Sequence, residues 1–210
     1  MADGFDLDAW LASAPSPAPI VQAGSMGLRR RSLEVGPEAF GTPSFDRLID
    51  IMVETMRAAP GVGLAAPQIG VPLRVFVAED PAERLAQVSE ESKEERSRTV
   101  LPLHVFVNPE LTLVSGSEAT FYEGCLSVRG YAALVSRATA VDIRGTDARG
   151  RPASLRLEGW PARIMQHETD HLDGVLYVDR MITRSFASEG AFADLGAMSV
   201  EDVLRELGVS

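Results

Sequence analysis

Two of the chain's three histidines, His167 and His171, stand four residues apart with Glu168 between them, in the stretch QHETDHLDG. On a helix, residues at i and i+4 project from one face, one turn apart. Two imidazoles so placed can hold a single divalent ion. Glu168 lies about 100° round the helix from His167 and about 60° from His171, near enough to reach a ligand of that ion without binding it. This is the HExxH pattern of metal-assisted hydrolysis. The bland alternative is a surface helix with incidental His and Glu. With three histidines in 210 residues, the pairing weighs against it.

A catalytic divalent ion ordinarily has three protein ligands and a fourth position for water. His104, Cys125 or a carboxylate could supply the third. Cys125, the one cysteine, sits beside Gly124 in EGCLS at the end of a predicted strand. A thiol on a metal is deprotonated at neutral pH, so a lone Cys can serve. Otherwise such a residue is a small buried hydrophobe. His104 lies inside a predicted strand, where a structural role is the simpler reading. A third stretch, GVGLAAPQIG (61–70), combines glycines, small residues and one amide, Gln68. It suits a backbone laid against a ligand, or a plain turn before a strand. It fits neither a Walker loop nor a dinucleotide fingerprint.

These residues need elements to hold them. Pro161 and Gly174 bracket a helix over 161–172 that carries the histidines. A second helix is predicted over 43–61, with Ser44 as cap, Phe45, Leu48, Met52 and Met56 on its buried face, and Pro60-Gly61 as its end. Alternating and β-branched patterns predict strands at 72–80, 101–114, 117–128, 133–147 and 152–159, the last two joined by a turn over 147–150. Ser199 caps a short C-terminal helix ending before Gly208. The fold class predicted is α+β: antiparallel or mixed sheets packed around a central HExxH-bearing helix, with a short C-terminal helix.

Length fits one domain, 1–210. Residues 1–19 read as a loosely ordered lead-in and 81–99, dense in charge, as an exposed insertion between strands. Apolar residues are 45% and charged residues 24%, ordinary for a globular chain. No apolar run is long enough to span a bilayer. The acidic start resembles neither a secretory signal nor a transit peptide, so a cytoplasmic location is expected. The single cysteine excludes an internal disulfide, and a net charge of −10 argues against a general nucleic-acid binder. The run Arg29, Arg30, Arg31 reads as a solvated face.

GVGLAAPQIG, EGCLS and QHETDHLDG, in this order, resemble the three signature motifs of peptide deformylases, and the likeness spans roughly residues 20–180. The resemblance implies that Cys125, His167 and His171 hold one divalent ion, Fe2+ in the cell, with Zn2+, Ni2+ or Co2+ able to occupy the same ligands. It implies removal of the formyl group from the N-terminal formyl-methionine of newly made polypeptides, releasing formate. Glu168 is then the general base toward the attacking water and the acid toward the leaving amine. The backbone N–H of Leu126 and the amide of Gln68 join the metal in stabilising charge on the formyl oxygen. Gly63 offers backbone hydrogen bonds to the substrate, and Val62, Trp160 and Ile164 line the methionine pocket.

By the same likeness, formyl-methionyl nascent peptides are the partners, met near the ribosomal exit. An acidic chain shows no obvious docking face there, and neither DNA nor membrane is an expected partner. The chain departs from the family pattern at Arg129, where many members have Pro, at Ala132, where many have Arg, and at Ser25-Met26, commonly Asp-Pro. The second departure bears on recognition of the peptide beyond its first residue. Two rivals differ in class. A zinc endopeptidase needs a third ligand downstream; there only carboxylates such as Asp179 and Glu189 remain, and Cys125 and Gln68 go unused. A non-catalytic binding module would be expected to lose Glu168, Gln68 or a ligand, and none is lost.

Overall fold

The structure, a computed structural model, describes residues 5–114, 116–191 and 198–209. Among the described residues, eight strands form two antiparallel sheets. One has the order β1 (Gly63–Ala65), β2 (Val75–Asp80), β3 (Leu101–Leu113), β6 (Ala140–Thr146), β7 (Pro152–Glu158). The other has β4 (Glu118–Cys125), β5 (Val128–Ala138) and β8 (Ala187–Ser188). The fold is mixed α+β with antiparallel sheets.

Helix α1 spans Leu7–Leu11, α2 Pro43–Ala58, α3 Ala82–Leu85, α4 Glu90–Glu95 and α5 Gly159–Leu172. The periodicity of α2 is met in full: Phe45, Leu48, Met52 and Met56 are all buried. Its cap differs from expectation. Thr42 rather than Ser44 accepts the Phe45 N–H, because Pro43 at the first helical position needs no partner and the cap falls on the residue before it, two residues earlier than expected. α5 packs against β1, β2, β3, β6 and β7 of the first sheet and β5 of the second. It therefore lies where both sheets meet, its apolar face formed by Ala162, Ile164, Met165 and Leu172.

The single strand expected over 133–147 is two strands in two different sheets, with the change of sheet at Thr139. Thr139 donates its N–H to Ser117 O and accepts from Gly159 N–H, so the switch is pinned from both sides. Residues 5–18 of the lead-in pack against the body of the protein. Asp6 caps α1, Leu7 and Ala18 are buried, and Leu7 joins the core around α2. Residues 1–4 of that lead-in lie outside the described residues.

The insertion 81–99 folds back on the body. Arg98 forms a two-point ion pair with the fully buried Asp80 (2.7 and 3.0 Å), and Ser97 O accepts the Trp160 N–H at the start of α5. Gly159 begins α5 at φ +62°, and a side chain there would collide with Ser97 O. The C-terminal helix Val200–Glu206 is capped by Ser199, as expected, and buries Val203 against Tyr122 and Leu134. Among the described residues no helix is long and apolar enough to cross a membrane.

Candidate metal centre and active site

α5 carries His167, Glu168 and His171 on consecutive turns, and β4 ends on Cys125. Cys125, His167 and His171 each offer one ligand atom, and these atoms lie within 4.8 Å of one another. Cys125 Sγ is 3.2 Å from His171 Nε2, and the two imidazoles stand edge to face with centroids 5.0 Å apart. One sulfur and two imidazole nitrogens are donors that suit a divalent transition metal. His104 lies elsewhere, on β3 opposite Ala78, its ring beside Phe106.

The ligand atoms are held by a second layer. His167 Nδ1 is 3.0 Å from Glu123 Oε2; a carboxylate only accepts, so the Nδ1 carries the proton and Nε2 is left for the cluster. Glu123 is buried and grips Arg137 through two bonds (2.7 and 2.9 Å) and Arg163 through one (2.6 Å). Arg137 continues to Asp170 on α5 at 2.7 Å, which also pairs with Arg180. Burial opposes the charge on Glu123, but His167 and Arg137 outweigh it and hold its carboxyl well below the usual carboxylate range. Burial also opposes charge on both histidines. At His167 the Cys125 and Glu123 contacts prevail and raise its pKa. At His171 burial prevails, reinforced by His167, and the ring is held neutral, the form that binds metal.

Glu168 is the unusual group. It is 4% exposed, and its Oε2 has no hydrogen-bond partner among the described residues. Burial raises its pKa to about 7, against the pull of His167 and Arg137. A buried carboxylate with an unpartnered oxygen is costly to the fold, and it is poised to exchange a proton near neutrality. It faces a cavity of about 670 Å3 whose walls include Val62, Trp160 and Ile164, with Gly63, Gln68, Cys125, Leu126 and His167 also lining it. Gln68 Oε1 accepts the Ala65 N–H at 2.8 Å, which fixes the amide's orientation and turns Nε2 toward Ser127 Oγ (3.2 Å) and Cys125 Sγ (3.6 Å). His171 is buried and reaches the group through Cys125. The ten residues singled out from the sequence are thus one neighbourhood.

Other members were not singled out. Glu123, two residues before Cys125 in EGCLS, is the partner of His167. A carboxylate at alternate spacing on the same strand face was a readable signal. Arg137, Arg163 and Asp170 carried none, because their pairing is set by the meeting of β5 with α5. Arg96, from the insertion, lines the cavity and lays its guanidinium over Trp160 (5.2 Å to the centroid) and Phe121 (5.6 Å). Of the three departures from the family pattern, two lie near the site: Arg129 is exposed on the cavity rim and Ala132 lies in β5 between Gly124 and Ala187.

Gly63 has a specific steric reason to be glycine. A Cβ there would collide with the Glu168 carboxylate and come within 2.7 Å of its Cγ. The Gly63→Ala variant must push the carboxylate aside. A displacement of about 1 Å at a reacting group costs on the order of 100-fold. We expect a fall of that order in kcat with the metal content unchanged, read by steady-state formate release and elemental analysis. A variant within about threefold of wild type would show that Glu168 has room to move.

A family model for polypeptide deformylase matches residues 17–186. Peptide deformylase 1 of Streptomyces coelicolor is 48% identical over 185 residues, covering 88% of this chain and 83% of that protein. The chloroplastic/mitochondrial peptide deformylase 1A of Arabidopsis thaliana is 47% identical over 167 residues, covering 80% of this chain and 62% of that protein. A class I type b peptide deformylase from Acinetobacter baumannii, solved with Met-Ala-Ser bound, superposes with a TM-score of 0.69 at 32% identity over 78% of this chain and 98% of its own. A buried carboxylate beside a thiol and two imidazoles, on a chain matched over most of its length, leaves one assignment: the chain belongs to the polypeptide deformylase family.

Proposed function

We infer that this chain hydrolyses the N-terminal formyl group of formyl-methionine on newly made polypeptides, releasing formate, through the residues gathered around Cys125. The observation that carries the reading is the convergence of one sulfur and two imidazole nitrogens within 4.8 Å, beside a buried carboxylate with an unpartnered oxygen. Cys125, His167 and His171 would hold a divalent ion, with Fe2+ as the cellular ion and Zn2+, Ni2+ or Co2+ as substitutes on the same HExxH-plus-Cys ligands. When bound, the ion supplies Lewis acidity, drawing charge from a carbonyl oxygen and lowering the pKa of water beside it.

The rest is the work of side chains. Glu168 takes a proton from the attacking water and returns it to the amine that leaves; its pKa near 7 suits both directions. Gln68 Nε2 and the Leu126 N–H face the formyl oxygen as negative charge collects there. A neutral amide donates without bringing a charge of its own. Val62, Trp160 and Ile164 receive the methionine side chain, and Gly63 offers its backbone to the peptide. α5 is the central element of this arrangement, and residues 1–210 form one catalytic domain. A cytoplasmic location and encounters with nascent chains near the ribosomal exit complete the proposal.

Formate release from formyl-Met-Ala-Ser by the anaerobically prepared, metal-loaded protein tests the reading. Stoichiometric formate is expected. Cleavage between residues with the formyl group retained would favour an endopeptidase. Tight binding without turnover would favour a non-catalytic module.

A further inference from the structure

The Leu126–Ser127 peptide meets the site with both of its polar groups. Its N–H, on Ser127, donates to Cys125 Sγ at 3.4 Å. Its carbonyl, on Leu126, points the opposite way and accepts from Gln22 Nε2 at 3.0 Å. In a planar trans amide the N–H and C=O are antiparallel, so holding one aims the other. Gln22 uses its remaining capacity locally: Nε2 also donates to Ile20 O at 3.2 Å, and Oε1 accepts the Arg129 N–H at 3.3 Å. Two backbone bonds run alongside, Ala23 N–H to Ser127 O (2.7 Å) and Val21 N–H to Gln68 O (2.8 Å). Gln68 Nε2 is a second N–H aimed at the sulfur, at 3.6 Å. The strap 20–23 therefore reaches Ser127 and Gln68, each of which donates to Cys125 Sγ.

We propose that Gln22 is a positioning residue: by holding the Leu126 carbonyl it keeps the Ser127 N–H on Cys125 Sγ and fixes the turn that presents Leu126 to the cavity. This rests on the reading of Cys125 as a metal ligand. A donor on an amide carbonyl polarises the amide and strengthens its N–H as a donor in turn. An N–H bonded to a ligating sulfur draws electron density from it, and such outer contacts tune a metal centre. Gln22 thus acts on the ion's sulfur ligand through one peptide unit, from a segment some hundred residues away in sequence.

The test uses the full chain loaded with Co2+, as wild type, Gln22→Ala and Gln22→Glu. Glu keeps an acceptor for the Arg129 N–H but sets a carboxylate, not a donor, against the Leu126 carbonyl. We expect the sulfur-to-cobalt charge-transfer band to move to longer wavelength in both variants, because a sulfur with a weaker N–H bond gives up charge more easily. We also expect kcat to fall about fivefold with KM within about twofold and cobalt content unchanged, the scale of one ordinary hydrogen bond. A band at the wild-type position in Gln22→Ala would overturn the proposal. So would wild-type behaviour of Gln22→Glu, since the Arg129 contact alone would then suffice. Absence of the band from the wild-type protein would be a different failure, that of Cys125 as ligand.

Discussion

Glu168→Ala is expected to keep its metal, keep its fold and lose turnover by about 10³- to 10⁴-fold, the upper part of the range for a positioned proton-transfer group. The argument has three parts. The carboxylate is not among the ligand atoms that converge, so its removal leaves Cys125, His167 and His171 in place. Its Oε2 has no hydrogen-bond partner among the described residues, so removal strands none on that side. Its burial raises its pKa to about 7, a cost to folding that the variant escapes. The melting temperature should therefore hold or rise while kcat collapses, as expected where stability has been given up for chemistry. Glu168→Gln, which fills the same space and cannot accept a proton, should behave alike. Formate release, elemental analysis and a thermal melt on one preparation decide the matter. A variant that keeps its ion and works within about tenfold of wild type would remove Glu168 from the mechanism.

Much of this site was legible from residue types at short range. The i, i+4 histidines with Glu168 between them need only a helix, and Gly174 at φ +76° ends that helix where expected. The buried face of α2 was equally readable, because a 3.6-residue period is written in one continuous stretch. What escaped was set by contacts between distant segments. Nothing at 138–140 punctuates the apolar pattern with Gly or Pro, so the crossing from β5 to β6 was invisible until the two sheets met at α5. The lead-in looked polar and Pro-rich, yet Leu7 and Ala18 find the groove beside α2. Gln22 reads as an ordinary surface amide; its role exists only because the Leu126–Ser127 turn folds against it. The insertion was read as solvated from its charge, and α4 is largely so, but Arg96 and Arg98 turn inward onto Trp160. Guanidiniums stack on aromatic faces, so charge density alone does not place an arginine in water.

Cys125→Ala is expected to lower metal affinity by at least about 100-fold, since outer partners of a ligand alone are worth 10- to 100-fold and this change removes the ligand itself. His104→Ala is the matched control. Both residues are potential soft or borderline donors, and before the fold is known either could complete the pair on α5. The geometry separates them: Cys125 Sγ lies 3.2 Å from His171 Nε2, while His104 packs beside Phe106 on β3. Loss of the sulfur should leave the remainder of the neighbourhood standing. Glu123 still grips Arg137 and Arg163, and those buried pairs do not pass through Cys125. The variant should therefore melt cooperatively but bind Co2+ weakly and without a sulfur-to-cobalt band. Titration with a competing chelator gives the affinities directly. If His104→Ala strips the ion and Cys125→Ala does not, the third ligand is misassigned. The convergence of sulfur with two imidazoles would then be a packing contact, not a metal centre.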